Sequence, residues 1–274
     1  MKVRVKWTPG GIFKPAGHEE ASAGSIPQEF VDIHSHILWG LDDGAPSLTE
    51  SLAMLKMAAE SGTTDIVATP HSSSRYKFDP SLVSERVEEL RRHFPALPKI
   101  HTGCDFHLNV MNINDALANP RKYTINGLIY LMVEFPEFQI PTSTEEILQR
   151  FIDLGIRPVI THPERNSILQ NATERLRDWV AKGCLIQVTA QSLGDRFGKA
   201  AKQSAWTLLK DDLVHFLASD AHDTVHRPPR LDDAWQSVQR EFGTQTARRL
   251  FIDNPRAVIL GNPLPEEDPR ERKV

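Results

Sequence analysis

Two periods of apolar positions alternate along the chain. Short, mostly apolar runs stand at 30–33, 64–68, 99–103, 128–133, 157–161, 185–189 and 213–218, with the length and composition of buried strands. Between them, apolar residues recur at three- and four-residue spacing, the stripe of an amphipathic helix. Ser47-Leu48-Thr49-Glu50 reads as a capping box opening a helix with Leu52, Leu55 and Ala59 on one face, stopped by Gly62. Ser143-Thr144-Glu145-Glu146 opens another, carrying Ile147, Leu148, Phe151 and Ile152 and ending at Gly155, and a third runs from Thr173 to Lys182 before Gly183. The alternation predicts an α/β protein, with about seven strands where the usual barrel of this kind has eight. Residues 1–29 mix glycine, proline and charge without a period and read as a flexible extension; 263–274 read as a charged tail, leaving 30–262 as one domain.

The polar residues that close the strand runs change the picture. Phe30 to Ile33 runs into His34-Ser35-His36, Thr64 to Pro70 into His71, Leu128 to Val133 into Glu134, Pro158 to Thr161 into His162, and Leu213 to Ala218 into Ser219-Asp220-Ala221-His222. Where strands and helices alternate in a barrel, strand C-termini share one rim, so these side chains are expected to converge. His-x-His on an extended segment puts both imidazoles on one side, and mixed Asp and His donors suit borderline divalent metals. A closed structural zinc site is disfavoured, because neither Cys104 nor Cys184 belongs to a Cys-x-x-Cys pair. Ions held about 4 Å apart would activate a water and stabilise the attacking and leaving oxygens of a displacement at phosphorus.

Composition narrows the class without naming the chemistry. The chain has 274 residues, 40% of them hydrophobic, enough for one barrel-sized core. A net charge of -4 gives no footprint for nucleic acid, and no apolar stretch has membrane-spanning length, so no membrane insertion is expected. Residues 1–29 lack the apolar core of a signal peptide, and two isolated cysteines agree with a reducing compartment; the cytoplasm is the expected location.

The motifs Val31-Asp32-Ile33-His34-Ser35-His36-Ile37-Leu38, Asp42-Asp43-Gly44, Ala68-Thr69-Pro70-His71, His162-Pro163-Glu164-Arg165, Ala218-Ser219-Asp220-Ala221-His222 and Arg227-Pro228-Pro229 resemble the polymerase and histidinol phosphatase (PHP) superfamily. Within it they are most similar to the bacterial manganese-dependent protein-tyrosine phosphatases of capsule and exopolysaccharide loci, the CpsB/CapC type, over roughly residues 30 to 261. The resemblance implies a distorted seven-stranded TIM-like barrel holding two or three divalent ions, manganese with iron or zinc as alternatives. It implies ligands at His34, His36, Asp43, His71, Glu134, His162, Asp220 and His222, with Glu134 as the bridge. At a ninth ligand position, where relatives carry glutamate, this chain has Asp105, one methylene shorter. After His71, where relatives often place His or Arg, stand Ser72, Ser73 and Ser74.

Arg165 and Arg227 are candidates for phosphate, since a guanidinium fork matches phosphate oxygens; the alternative is an ion pair with Glu164 or Asp223 that steadies the ligand loops. His222 is a candidate for a catalytic as well as a ligand role. Phe135-Pro136-Glu137-Phe138, with Tyr76 and Phe78 opposite, could wall a slot for a phenyl ring. Cysteine-based phosphatase chemistry is excluded, because the residues six beyond Cys104 and Cys184 are Val110 and Ala190, where an arginine is needed. No Gly-x-Ser-x-Gly elbow or Gly-x-x-x-x-Gly-Lys loop is present. The expected activity is a metal-dependent phosphomonoesterase acting on phosphotyrosine, and the resemblance implies the phosphorylated tail of a bacterial tyrosine kinase as partner. The alternatives are a histidinol-phosphate or other small-molecule phosphatase, an amidohydrolase-like deacylase, and a catalytically weak regulator that docks on a kinase.

Overall fold

The structure is a computed structural model that describes residues 29–95, 98–136 and 139–267; residues 1–28, 96–97 and 268–274, with Glu137 and Phe138, lie outside the described residues, as do the parts of the expected extension, tail and phenyl slot that fall on them. The described chain is mixed α/β with parallel strand pairing throughout. The strands are β1 (Phe30–Ser35), β2 (Thr63–Ala68), β3 (His71–Ser72), β4 (Lys99–Thr102), β5 (Asp105–His107), β6 (Tyr130–Glu134), β7 (Arg157–Thr161), β8 (Leu185–Thr189) and β9 (Phe216–Ala218).

They form two sheets, ordered β1-β2-β4 and β3-β5-β6-β7-β8-β9, so the pairing does not describe the single seven-stranded barrel expected. The division falls directly after the second and third expected strands, where the ladder stops and resumes in a further short strand. Thr69-Pro70 interrupts one, and proline has no N–H to give a ladder. Gly103-Cys104 interrupts the other, and a Cβ on Gly103 would press within 3.1 Å of both Thr69 and Val67. Backbone bonds cross the breaks, from Gly103 N to Ala68 O at 2.9 Å and from Asp105 N to Pro70 O at 3.2 Å. At the far end, an isolated parallel bridge pairs Ser35 with Ala221.

Strand residues are buried on both faces, as parallel sheets require. Leu131 and Val133 of β6 join the large cluster under the helices. Tyr130 and Met132, the alternate residues, pack with Val31, Ile33, Val159 and Phe216 in a second cluster closed by Val258 and Leu264. Leu264 is buried, and Glu267 accepts from Arg157 at 2.7 Å, so the first residues of the expected tail dock on the domain.

Helix starts depart from expectation in two places. Ser47 caps α1 (Leu48–Glu60) by accepting from Glu50 N, but the Glu50 carboxylate does not complete the box. It accepts from Thr224 N and Thr224 Oγ1, both at 2.8 Å, and so ties α1 to the loop after β9. Of the stripe expected on α1, Leu55 is buried together with Met54 and Ala58, while Leu52 and Ala59 sit at the margin. Ser143 makes no side-chain cap on α4 (Thr144–Asp153); Thr144 is buried and its hydroxyl donates to Pro141 O. The apolar face of α4 nevertheless packs as expected, through Ile147, Leu148 and Phe151. Among the described residues, no helix is long and apolar enough to cross a membrane.

Candidate metal centre

Strand ends and the loops directly after them bring all nine expected ligand residues into one cluster. It consists of four overlapping groups: His36, Asp43, His71 and His222; His34, His36 and Asp105; His34, His162 and Asp220; and His71, Asp105 and Glu134. Within each group, one potential ligand atom per residue lies within 4.8 Å of the others.

The imidazoles of β1 are aimed by partners on their outer nitrogens. His34 Nδ1 pairs with Gln187 Oε1 at 2.8 Å, and His36 Nδ1 with Asp42 Oδ2 at 2.7 Å. Both Nε2 atoms therefore face inward, 3.4 Å apart and 3.5 and 3.4 Å from Asp220 Oδ1. Fixing one ring nitrogen to orient the other is how ligating histidines are held. Asp42 serves the turn and the site at once: Oδ1 accepts from Gly44 N, and Oδ2 also accepts from His71 N, each at 2.9 Å. Gly44 is obligatory, because a Cβ there would sit 2.2 Å from His36 O.

His71 joins the groups. Its Nε2 lies 3.3 Å from Asp43 Oδ1, and its Nδ1 lies 3.2 Å from Asp105 Oδ2 and 3.4 Å from Glu134 Oε2. The other Glu134 oxygen lies 3.7 Å from His162 Nε2, so the carboxylate spans two parts of the cluster. His34, His36, His71 and Asp105 each belong to two groups; Glu134, expected to bridge, belongs to one. Two ligand residues stand in left-handed backbone, His162 at φ 33° and Asp220 at φ 50°. Residues other than glycine and asparagine seldom adopt it, and such outliers concentrate at functional sites.

The donors fit cations. Asp105 is fully buried, and neither of its carboxylate oxygens has a hydrogen-bond partner; the same holds for His71 Nδ1. A carboxylate so placed is costly unless a positive charge compensates it. Burial opposes ionisation of Asp105, but His34 overcomes it and holds the carboxyl well below its ordinary range. Burial likewise opposes charge on His34, yet Asp220 and Asp105 prevail and raise its pKa to about 9. His71 is pushed up to about 12, burial being outweighed by the nearby carboxylates of Asp105, Asp43 and Glu134. Burial and the neighbouring Asp105 charge raise Glu134 to about 8. The cluster is thus a dense set of anions that borrow compensation from imidazoles.

Arg165 and Arg227 both donate to Asp220 Oδ2, Arg227 at 2.5 Å. The partners considered from sequence are engaged elsewhere: Glu164 accepts from Thr189 N and Ser192 Oγ, and Asp223 from the backbone of 225–227. Phe197 lies against both guanidiniums, its ring centroid 4.4 Å from Arg165 Cζ and 5.8 Å from Arg227 Cζ. A cavity of about 410 Å³ opens beside the cluster, lined by His107, Glu134, Phe135, His162, Arg165, Asn166 and Phe197. His107 falls among its walls and outside the four groups. Phe78 and Tyr76 do not line this cavity: Phe78 is buried against Tyr123, and Tyr76 stacks on His71 at 5.9 Å. Phe135 reaches the cavity with an edge while its ring stacks on Trp179.

Sequence reasoning did not single out Asp42, Gln187 or Phe197 for the site. Gln187 carried a signal, an amide inside the run Leu185-Ile186-Gln187-Val188, where a polar group needs a reason. Phe197 carried none, since it is brought in by the loop between β8 and α6 (Gly198–Lys210). The two cysteines are buried free thiols, and burial raises both, Cys184 to about 12, so neither is a nucleophile.

Parallel sheets that bring nine metal-competent side chains together, beside a cavity lined in part by Arg165, form a candidate metal centre of the kind that supports hydrolysis. Comparison with known proteins agrees. The family described as capsular polysaccharide synthesis, CpsB/CapC, matches residues 30–260. The chain is 35% identical over 253 residues to a putative tyrosine-protein phosphatase CapC of Staphylococcus aureus, covering 89% of this chain and 98% of that one. It is 32% identical over 246 residues to the tyrosine-protein phosphatase CpsB of Streptococcus pneumoniae, covering 84% and 98%. Among solved structures it matches, with TM-score 0.80 and 30% identity over 85% of this chain and 96% of the other, one from the work on YwqE of Bacillus subtilis and CpsB of Streptococcus pneumoniae, described as unique metal-dependent tyrosine phosphatases. This chain belongs to the CpsB/CapC family.

Proposed function

We propose that this chain is a metal-dependent protein-tyrosine phosphatase in which His34, His36, Asp43, His71, Asp105, Glu134, His162, Asp220 and His222 hold two or three divalent ions. Manganese is the first choice, with iron or zinc as alternatives. The observation that supports the reading best is the convergence of these nine side chains beside a cavity carrying Arg165, in a chain whose relatives bear the name tyrosine phosphatase. Bound ions would supply Lewis acidity at the phosphoryl oxygens and lower the pKa of water.

The chain's own groups do the rest. Arg165 lines the cavity, and Asp220 holds it beside Arg227, a pairing that offers guanidinium forks to the nonbridging phosphate oxygens. Burial beside His36 and Arg227 depresses His222 to about 3, so it is a neutral donor suited to ligation, and we assign it there rather than to proton delivery. A phenolate leaving group needs less protonation than an alkoxide. We infer that β2 with β3 and β4 with β5 count as two bent strands of a distorted seven-stranded barrel, a reading supported by the Ser35–Ala221 bridge. We infer a cytoplasmic enzyme whose partner is the phosphotyrosine tail of a bacterial tyrosine kinase.

The test is a substrate panel on manganese-reconstituted protein. A phosphotyrosine peptide is expected to exceed a phosphoserine peptide and histidinol phosphate in kcat/KM by about tenfold or more. Preference for histidinol phosphate would make it a small-molecule phosphatase, and no turnover with metal bound would make it a docking regulator.

A further inference from the structure

We propose that Phe197 is a specificity-determining residue that packs against the phenyl ring of the substrate, a proposal that rests on the phosphotyrosine reading above and sharpens it. The cavity is mixed in character. Glu134, His162 and Arg165 give it polar and charged lining, and Phe135 and Phe197 aromatic lining. An aryl phosphate has the same mixture, a dianionic head on an apolar ring, and a pocket of about 410 Å³ has the capacity of an ordinary small-ligand site.

The two aromatic walls differ in what they can offer. Phe135 is only 6% exposed and spends its ring on Trp179. Phe197 is half-buried, precedes α6 on a loop, and reaches the arginines by its ring. Gly198 follows it at φ 83°, a backbone conformation open to glycine, which lets the chain turn into the helix directly after the aromatic residue. A phenylalanine left partly open beside two guanidiniums is placed to receive a second ring as phosphate engages those guanidiniums.

The competing account is that Phe197 merely supports Arg165 and Arg227. In that case its loss weakens every phosphate ligand alike. Binding to the metal-loaded protein separates the two, with phenylphosphonate and inorganic phosphate as probes, measured by titration calorimetry for wild type, Phe197→Ala and Phe197→Leu. Phe197→Ala is expected to weaken phenylphosphonate about five- to tenfold and phosphate less than about twofold, with Phe197→Leu in between. Metal content per chain, unchanged in both variants, shows that the site is intact; if the alanine variant does not fold, the leucine variant carries the test with the same order of effects. Equal weakening of both probes, or no change in either, overturns the proposal. If wild type itself binds phenylphosphonate no better than phosphate and leaves aryl phosphates unhydrolysed, it is the phosphotyrosine reading that fails.

Discussion

Replacing Asp220 by alanine is expected to lower phosphatase turnover about a thousandfold or more and to remove metal along with it. The two oxygens of Asp220 face different partners. One oxygen faces His34 and His36 at 3.5 and 3.4 Å, and the other holds Arg165 and Arg227. Burial disfavours its charge, but His34 and the two arginines keep the carboxyl well below its ordinary range, so it is ionised at any working pH. Alanine would leave the ions one ligand short and both guanidiniums without their common counterion. Turnover and metal content should therefore fall together. A variant that keeps its metal and its rate would show that Asp220 only braces the arginines.

Glu134→Gln should have opposite effects on function and on the stability of the metal-free fold. Glutamine is a poor ligand, so turnover is expected to drop about a hundredfold or more, with loss of at least part of the metal. In the metal-free protein the change removes a carboxyl whose pKa burial and Asp105 have raised to about 8. A group with a folded pKa above its unfolded value binds a proton preferentially when folded, so stability falls as pH rises from the unfolded value near 4.5 through 8. Above that window the variant should be the more stable, by about 1–2 kcal/mol or roughly 2–8 °C in melting temperature, and the difference should vanish below about pH 4.5. Melting curves at both pH extremes decide it. A destabilised metal-free variant at high pH would mean that the Glu134 charge is already compensated.

How much of this was legible in the sequence depends on the distance over which each feature is set. His34, His36, His71, Glu134, His162, Asp220 and His222 stand at or just beyond strand ends, and a strand end is a local property, readable from an apolar run and the polar residues that close it. Asp43 and Asp105 needed the family pattern, because an Asp before Gly or a Gly-Cys-Asp stretch reads equally well as a turn. The strands at 128–133 and 213–218 were right in kind and blurred at their edges, since Leu128 and Leu213 are apolar without being ladder residues. The two strand breaks were not legible. Pro70 and Gly103 close the runs that read as strands, and whether the chain pairs again beyond them, as it does at His71–Ser72 and Asp105–His107, depends on its neighbours. The Glu50 carboxylate shows the same limit: its sequence position suits a capping box, and a loop 174 residues distant takes it instead. Phe197 depends wholly on what lies across the fold.

Metal content and activity measured on the same samples test the account most directly. Protein treated with a chelator until no divalent metal is detected per chain is expected to lose hydrolysis of an aryl phosphate and to regain it on adding manganese. Thiol alkylation should leave the rate intact, because Cys104 and Cys184 are buried. Full activity after verified removal of metal would contradict the assignment of the nine-residue cluster as the centre of catalysis.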